Sequence, residues 1–304
     1  MASLTGSTSG ALDRVSASRL WRTRLLTTAA CAALAGGMGC ADRTIRPSRG
    51  LLPDPPLSYS DGDWVQVLKT YVRDGLVNYD ALEADPEVLR RYYALLSETG
   101  PSRAPEAFES RSDRVAYWIN AYNALVLLAV LEHYPVSTMY DLSLPRLEYE
   151  YRYIVDGHEC NLAWIEERML ADSGGDVRVL LATSRAAMGT PRLAEQPYRS
   201  ETLDGQLTDA AARGLDNPNL CRVDHGSQSI LVWQKILNEE EAFLSYWRSR
   251  HGTSTGLLFN VLLDLASPTR RRQLENVVGF QVGELPFDRR LNEYRPGSRR
   301  SAAP

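Results

Sequence analysis

The sequence predicts a single α+β domain, in which a buried central helix is surrounded by other helices and a small antiparallel sheet. The central helix is predicted over residues 113–133, because this segment is apolar on every side yet contains Asn120 and Asn123. The sheet is predicted from the Asp156-Gly157 pair, which lies between two segments rich in tyrosine and β-branched residues and is typical of a hairpin turn. Helical periodicity on both sides of the hairpin makes the class mixed rather than all-β.

Two helices are predicted before the central one. Asp61 can cap a helix whose buried face carries the apolar residues Trp64, Val67, Leu68 and Tyr71, and Gly75 ends that segment. Residues 76–79 are predicted to be extended. The sequence Asp85-Pro86-Glu87 then opens a second helix, because proline suits the first turn of a helix.

The segments after residue 148 alternate between extended and helical patterns. Strands are predicted over residues 149–155 and 158–162, on the two sides of the hairpin turn. Residues 177–183 form a short apolar run that favours a buried strand. Apolar spacings of three and four predict helices over residues 163–170, 203–213, 229–237, 239–247 and 254–265.

Residues 1–39 have the pattern of a secretory signal peptide. A stretch with four arginines precedes a run of small and apolar residues over 25–38, and this run is too short to favour a stable membrane-spanning helix. Gly37-Met38-Gly39-Cys40 resembles a lipobox, the motif at which a signal peptidase cuts before a cysteine that is then acylated. The motif departs from the usual pattern at Gly37, where leucine is common. Ordinary cleavage near Ala33 or Ala35 and an uncleaved anchor are the alternatives.

These features predict a lipoprotein of the cell envelope, held at a membrane through acylated Cys40 and facing the periplasm or the exterior. Residues 40–60 are rich in proline and serine, which is typical of a tether. The folded domain is predicted over residues 61–293, and residues 294–304 are predicted to be a disordered tail.

Charge and cysteine content exclude several classes of partner. The formal charge is −4, and removal of residues 1–39 makes it three units more negative, so nucleic acid is not an expected partner. Histidines are not clustered and no C-x-x-C pair occurs, so neither a metal nor another cofactor is expected. Cys160 and Cys221 are the cysteines left in the folded part, and an oxidising envelope would allow them to form a disulfide.

Four blocks of sequence together resemble the domain-of-unknown-function 547 family. They are residues 64–79, residues 117–125 (YWINAYNAL), residues 178–193 and residues 286–292, so the resemblance spans about 64–292. In that family the third block resembles R-I-H-F-A-L-N-C-A-S-x-S-C-P-P-L, whose histidine and two cysteines would suit thiol chemistry. The matching positions here are Leu180, Arg185 and Thr190. The resemblance therefore implies a member that lacks these reactive side chains.

The candidate cleft combines residues of the second and third blocks: Asn120, Asn123, Ser184, Arg185 and Thr190. Residues 183–191 are expected to lie beside the central helix, near the two asparagines. Those amides either clamp neighbouring loops or line a ligand site, since buried amides need hydrogen-bond partners. Adjacent acids such as Glu166-Glu167 are expected to be solvated, and the four histidines are expected on the surface or at helix ends.

No residue is therefore assigned a catalytic role. The favoured interpretation is an enzyme-like domain without catalysis, which binds a peptide, a glycan or a partner protein. The alternative is a hydrolase that acts on a cell-envelope substrate through residues that the sequence does not identify.

Overall fold

The predicted central helix is helix α4 in the structure, and it runs from Arg111 to Leu131. In the computed structural model, the described residues are 43–48, 50–52, 58–138 and 146–297. Ser110 caps α4 through a reciprocal pair of hydrogen bonds with Asp113, which fixes where the helix begins. By length and composition α4 could cross a membrane, but 89% of its most apolar stretch is buried inside the domain. It is therefore the core helix that the sequence predicts.

The elements before α4 follow the predicted order, with several short elements in addition. Strand β1 is Thr44–Ile45, helix α1 is Gly62–Tyr71, and strands β2 (Val72–Arg73) and β3 (Leu76–Val77) form a hairpin after it. Helix α2 (Tyr79–Ala84) and helix α3 (Glu87–Glu98) complete this part. Helices α1 and α3 pack face to face, with the rings of Trp64 and Tyr92 stacked at a centroid distance of 5.6 Å.

The elements after α4 begin with a π-helical turn, Arg146–Glu150, and the predicted hairpin of β4 (Arg152–Val155) and β5 (His158–Cys160). Asp156 and Gly157 form its turn, both at positive φ. The remaining elements are helices α5 (Leu162–Asp172), α6 (Arg178–Leu181) and α7 (Leu203–Asp216), strands β6 (Cys221–Asp224) and β7 (Ser229–Val232), helices α8 (Gln234–Asn238), α9 (Glu240–His251), α10 (Leu258–Leu265) and α11 (Pro268–Glu275), and strand β8 (Gln281–Glu284).

Helices and small sheets mix around α4, so the predicted α+β class is confirmed. The sheets differ from the single antiparallel sheet that was expected. Strand β4 pairs antiparallel with β5 and parallel with β1, while β7 pairs antiparallel with β6 and parallel with β8. The β2–β3 hairpin forms a third, two-stranded sheet. The parallel pairs join strands that are far apart in sequence, and local patterns do not report such pairing.

Two predicted elements are wrong. Residues 177–183 are not a strand, because Arg178–Leu181 form a turn of helix that is buried against α7. Residues 229–237 are not one helix, because Ser229–Val232 form a strand before the short helix α8. Both segments are short apolar runs, for which length and periodicity do not separate a strand from a buried helical turn.

The ends of the predicted domain are also different from the expected ones. Thr44 and Ile45 lie within the predicted tether 40–60, yet they pair with Arg152 and Tyr153 of β4. At the other end, the backbone N–H of Tyr294 donates to the carbonyl of Val77, so the chain stays on the domain beyond residue 293. The predicted signal peptide and Cys40 lie outside the described residues.

Candidate functional site

Asn120 and Asn123 hold two loops against the central helix. The amide nitrogen of Asn120 donates to the carbonyl of Tyr198 at 2.8 Å, and its amide oxygen accepts from the Tyr198 N–H at 2.9 Å. Asn123 makes the same two-way contact with the next loop, to the carbonyl of Ala182 at 3.1 Å and from the N–H of Ser184 at 2.8 Å. Both side chains are buried, and each satisfies backbone groups that would otherwise be unpaired in the core. Of the two predicted roles, loop clamping describes both amides.

Arg185 lies at the centre of a buried ion cluster. Its guanidinium contacts a carboxylate oxygen of Glu148 at 2.6 Å and one of Glu166 at 2.9 Å, and it lies over the ring of Trp233 at 5.4 Å from the centroid. The Arg185 side chain is only 9% exposed, and those of the two glutamates are 16% and 15% exposed. Because an unpaired charge at this depth is strongly destabilising, the two carboxylates are what allows arginine at this position.

The cluster extends from Glu166 to helix α8. The ammonium group of Lys235 lies 2.5 Å from a second oxygen of Glu166 and 3.6 Å from Glu239. Burial on its own would raise the pKa of Glu166, but the charges of Arg185 and Lys235 outweigh it and hold that pKa below its usual range. Glu166 is therefore ionised and paired, and the expectation that it is solvated is wrong.

The other two positions of the third block are also fixed by internal contacts. Thr190 is 1% exposed, and its hydroxyl donates to the carbonyl of Ala187 at 2.8 Å and accepts from the N–H of Arg185 at 3.2 Å. Leu180 is buried in the core. The hydroxyl of Ser184 accepts a long hydrogen bond of 3.4 Å from the amide of Asn292. These contacts make the block a folded loop that connects α6 to the core.

An open cleft of the domain borders Asn120. It has a volume of about 390 Å³, with aromatic residues Tyr59, Phe108, Tyr117 and Tyr198 and charged residues Asp61, Asp113, Arg199 and Glu201 in its wall. Of the five predicted cleft residues, the structure places Asn120 in this wall. Asn123, Ser184, Arg185 and Thr190 lie in the core instead. Tyr59, Asp61 and Arg199 were not identified from the sequence, since Asp61 was interpreted only as a helix cap.

An excess of acidic side chains characterises the cleft. Arg199 pairs with Asp61 at 2.8 Å, and the cleft wall contains three acids, Asp61, Asp113 and Glu201, for this one arginine. Asp113 also caps α4, and hydrogen bonds from Ser110 hold its pKa below the usual range although burial opposes this shift. Burial raises the pKa of Tyr59 to about 12, so its hydroxyl is protonated at neutral pH.

The family comparison covers the central part of this structure. Residues 106–213 match the family model described as a protein of unknown function, DUF547. The predicted resemblance to that family is confirmed for this segment. No curated protein and no solved structure shows significant similarity to the chain.

The DUF547 segment contains both asparagine clamps, both glutamates that contact Arg185, and one side of the cleft. Lys235 and Trp233, which complete the ion cluster, lie outside it, as do Tyr59 and Asp61 of the cleft. The first and fourth blocks of the predicted resemblance also lie outside the matched residues.

The histidines take part in local contacts. His133 contacts the carbonyl of Ala129 at 3.1 Å and the hydroxyl of Tyr151 at 2.8 Å, and His251 lies 3.0 Å from a carboxylate oxygen of Asp264. The Asp224-His225-Gly226-Ser227 segment is the β6–β7 turn, in which Asp224 accepts from the N–H groups of the last two residues. None of these groups is part of the cleft wall or of the Arg185 cluster.

The structure contradicts the predicted disulfide. Cys160 and Cys221 are free, buried thiols on strands of two different sheets. Burial raises the pKa of Cys160 to about 12 and that of Cys221 to about 11, so both are protonated and unreactive at neutral pH. Among the described residues, no group of histidines, cysteines and acids has the arrangement of a metal site.

Proposed function

We propose that this protein is an acylated lipoprotein of the cell envelope, whose folded domain binds a peptide carrying a basic side chain in the cleft formed by Tyr59, Asn120 and Arg199. The domain is proposed to act by binding rather than by catalysis. The alternative of a hydrolase is one of the outcomes that the experiments below distinguish.

The observation that carries the non-catalytic interpretation is the position of Arg185. The family resemblance implies a cysteine here, but the side chain present is a guanidinium fixed between Glu148 and Glu166. A thiol nucleophile needs a thiol, access and a nearby imidazole, whereas this position holds a guanidinium whose side chain is 9% exposed, and Leu180 occupies the family's histidine position. Thr190 could replace the second cysteine only with a base within about 3 Å, and its hydroxyl contacts backbone groups instead.

The composition of the cleft supports a basic ligand group. Three acids and one arginine lie in its wall, beside four aromatic residues. A lysine or arginine side chain gains from both features, because cations are attracted to aromatic faces and to carboxylates. A neutral glycan would use the rings but not the acidic excess.

Calorimetric titration with a short peptide that contains lysine, and with the same peptide containing norleucine, tests the ligand class. The lysine peptide is expected to bind more tightly, with an advantage that falls at high salt. Glu201→Gln should weaken lysine-peptide binding by a modest factor, roughly two- to five-fold for an exposed pair, whereas Glu240→Gln on α9 should have no effect.

The same titrations separate the alternatives. Equal binding of the two peptides contradicts a basic ligand, and displacement of the peptide by a neutral oligosaccharide favours a glycan. Release of cleaved fragments from envelope polymer by the folded protein would establish the hydrolase.

The anchor is supported by the order of charged, apolar and small residues before Cys40. A clickable fatty acid fed to cells that express the full chain should label the protein, and Cys40→Ser should abolish the label and leave the protein unprocessed or soluble. Acylated, membrane-bound Cys40→Ser protein contradicts this anchor.

A further inference from the structure

Strand β1 fastens the chain to the domain a few residues after Cys40. Thr44 and Ile45 lie in parallel register with Arg152 and Tyr153 of β4, and the N–H of Arg152 donates to the carbonyl of Arg43 at 3.2 Å. The hydroxyl of Tyr93, on α3, donates to the carbonyl of Ile45 at 2.5 Å. An ion pair between Arg43 and Glu150 adds a side-chain contact at the same place. The folded domain therefore includes Arg43 and β1.

The stretch of chain between Cys40 and the contacts of Arg43 is too short to act as a long tether. Ala41 and Asp42 separate Cys40 from Arg43, and three peptide units span at most roughly 11 Å when fully extended. A flexible tether over residues 40–60, as the composition predicts, would instead have an average reach of about 25 Å. Covalent geometry thus limits an acylated Cys40 to within roughly 11 Å of Arg43.

We infer that the exposed face of the β1–β4–β5 sheet, which carries Arg152 and Glu159 opposite the buried Tyr153 and Cys160, lies against the lipid headgroups when the protein is anchored. The partner is a phospholipid surface, and the inference rests on the proposed acylation of Cys40. Arg152 and Glu159 are exposed on this face, and the guanidinium of Arg152 can donate to phosphate oxygens.

The same contacts place the cleft near the membrane. Tyr92 and Tyr93 are neighbours on α3: the hydroxyl of Tyr92 lies 3.2 Å from that of Tyr59 in the cleft, while Tyr93 binds Ile45 of β1. The cleft and β1 therefore contact the same turn of α3. A ligand in the cleft would be drawn from the layer next to the headgroups.

Fluorescence quenching in proteoliposomes tests the inference with the full, acylated chain. A bimane label is attached at Arg152→Cys, opposite β1, or at Val278→Cys, an exposed residue that precedes β8 in the other three-stranded sheet. Glu159→Cys on β5 is a second position in the first sheet, should the Arg152 variant fold poorly. Cys160 and Cys221 are buried and do not take up the label in the folded protein. The quencher is a nitroxide carried on the headgroup of phosphatidylcholine.

The labels at Arg152 and Glu159 are expected to be quenched several-fold more strongly than the label at Val278. Insertion of a 20-residue Gly/Ser segment between Asp42 and Arg43 should remove most of this difference, because the average reach of the tether then rises to about 25 Å. Equal quenching at both sheets in acylated protein overturns the inference and leaves the anchor intact. Absence of fatty acid on the chain refutes the anchor itself and the inference with it.

Discussion

Replacing Arg185 by methionine should destabilise the folded protein more than any surface substitution of arginine. Methionine approximates the volume of the aliphatic part of the side chain but removes the charge between Glu148 and Glu166. Glu166 keeps its contact with Lys235, whereas Glu148 loses its ion pair at a site where its side chain is only 16% exposed. Breaking one partner of a buried pair costs about 3–5 kcal/mol.

The expected loss in the free energy of unfolding is therefore about 4 kcal/mol, to which the lost contact with Trp233 contributes part. In a domain of this size, that corresponds to a fall in Tm of roughly 10 °C. Urea unfolding followed by circular dichroism gives the first quantity, and differential scanning calorimetry gives the second. Arg185→Lys should be intermediate, because it keeps the charge but cannot contact both carboxylates in the same geometry.

Arg271→Met is the matched control. Arg271 pairs with Glu275 on α11, and both side chains are about half exposed. Exposed pairs of this kind contribute about 0–1 kcal/mol, so this variant should be nearly as stable as the parent. A change below about 1 kcal/mol for Arg185→Met, comparable with the control, would refute the view that position 185 is organised around a guanidinium.

Three further predictions concern residues with a defined environment. A thiol reagent should leave Cys160 and Cys221 unmodified in the folded protein and modify both after denaturation without reductant; a requirement for reductant would show a disulfide after all. Thr190→Ala should cost about 1–3 kcal/mol in urea unfolding and leave peptide affinity unchanged, and loss of a hydrolytic activity in the folded variant would contradict the proposed function. The pKa of Glu166 is lowered on folding, so its ionised form stabilises the fold above the unfolded-state pKa of about 4.3, and this stabilisation disappears as the pH falls through the folded-state pKa. Glu166→Gln should therefore be less stable at pH 7 and show a smaller loss of stability between pH 7 and pH 3; an unchanged pH dependence is the contrary result.

The fold could be predicted where a single local signal was strong. Helix α4 was predicted to within two residues at each end, because a long segment that is apolar on every side is typical of a buried helix. The β4–β5 turn was identified from Asp156-Gly157, because these residues adopt positive φ at low cost. Strand β1 was missed because two residues carry no periodicity, and its pairing with β4 joins positions more than one hundred residues apart.

The site was predicted less well than the fold, for a physical reason. Hydrogen bonding by the side chains of Asn120 and Asn123 could be predicted, because buried amides need partners. The identity of those partners, the backbone groups of two distant loops, could not. The Arg185 cluster needs residues from the π-helical turn, α5 and α8, and each of them looks like an ordinary surface charge in the sequence. Glu166 and Glu167 are adjacent on α5, but Glu166 lies on the side of the helix that faces the core and Glu167 is exposed. The sequence alone does not distinguish them.

The ion cluster also shows that the change from the family's cysteine to Arg185 involves more than the loss of one thiol. A cysteine there would remove the ion pair of the buried Glu148 and leave Glu166 with Lys235 alone, and Leu180 supplies no imidazole to lower the pKa of the thiol. Burial of the two carboxylates and the presence of arginine thus depend on each other. Restoration of a reactive thiol would require changes at several positions together, and for this reason we regard the third block as a structural element of the fold.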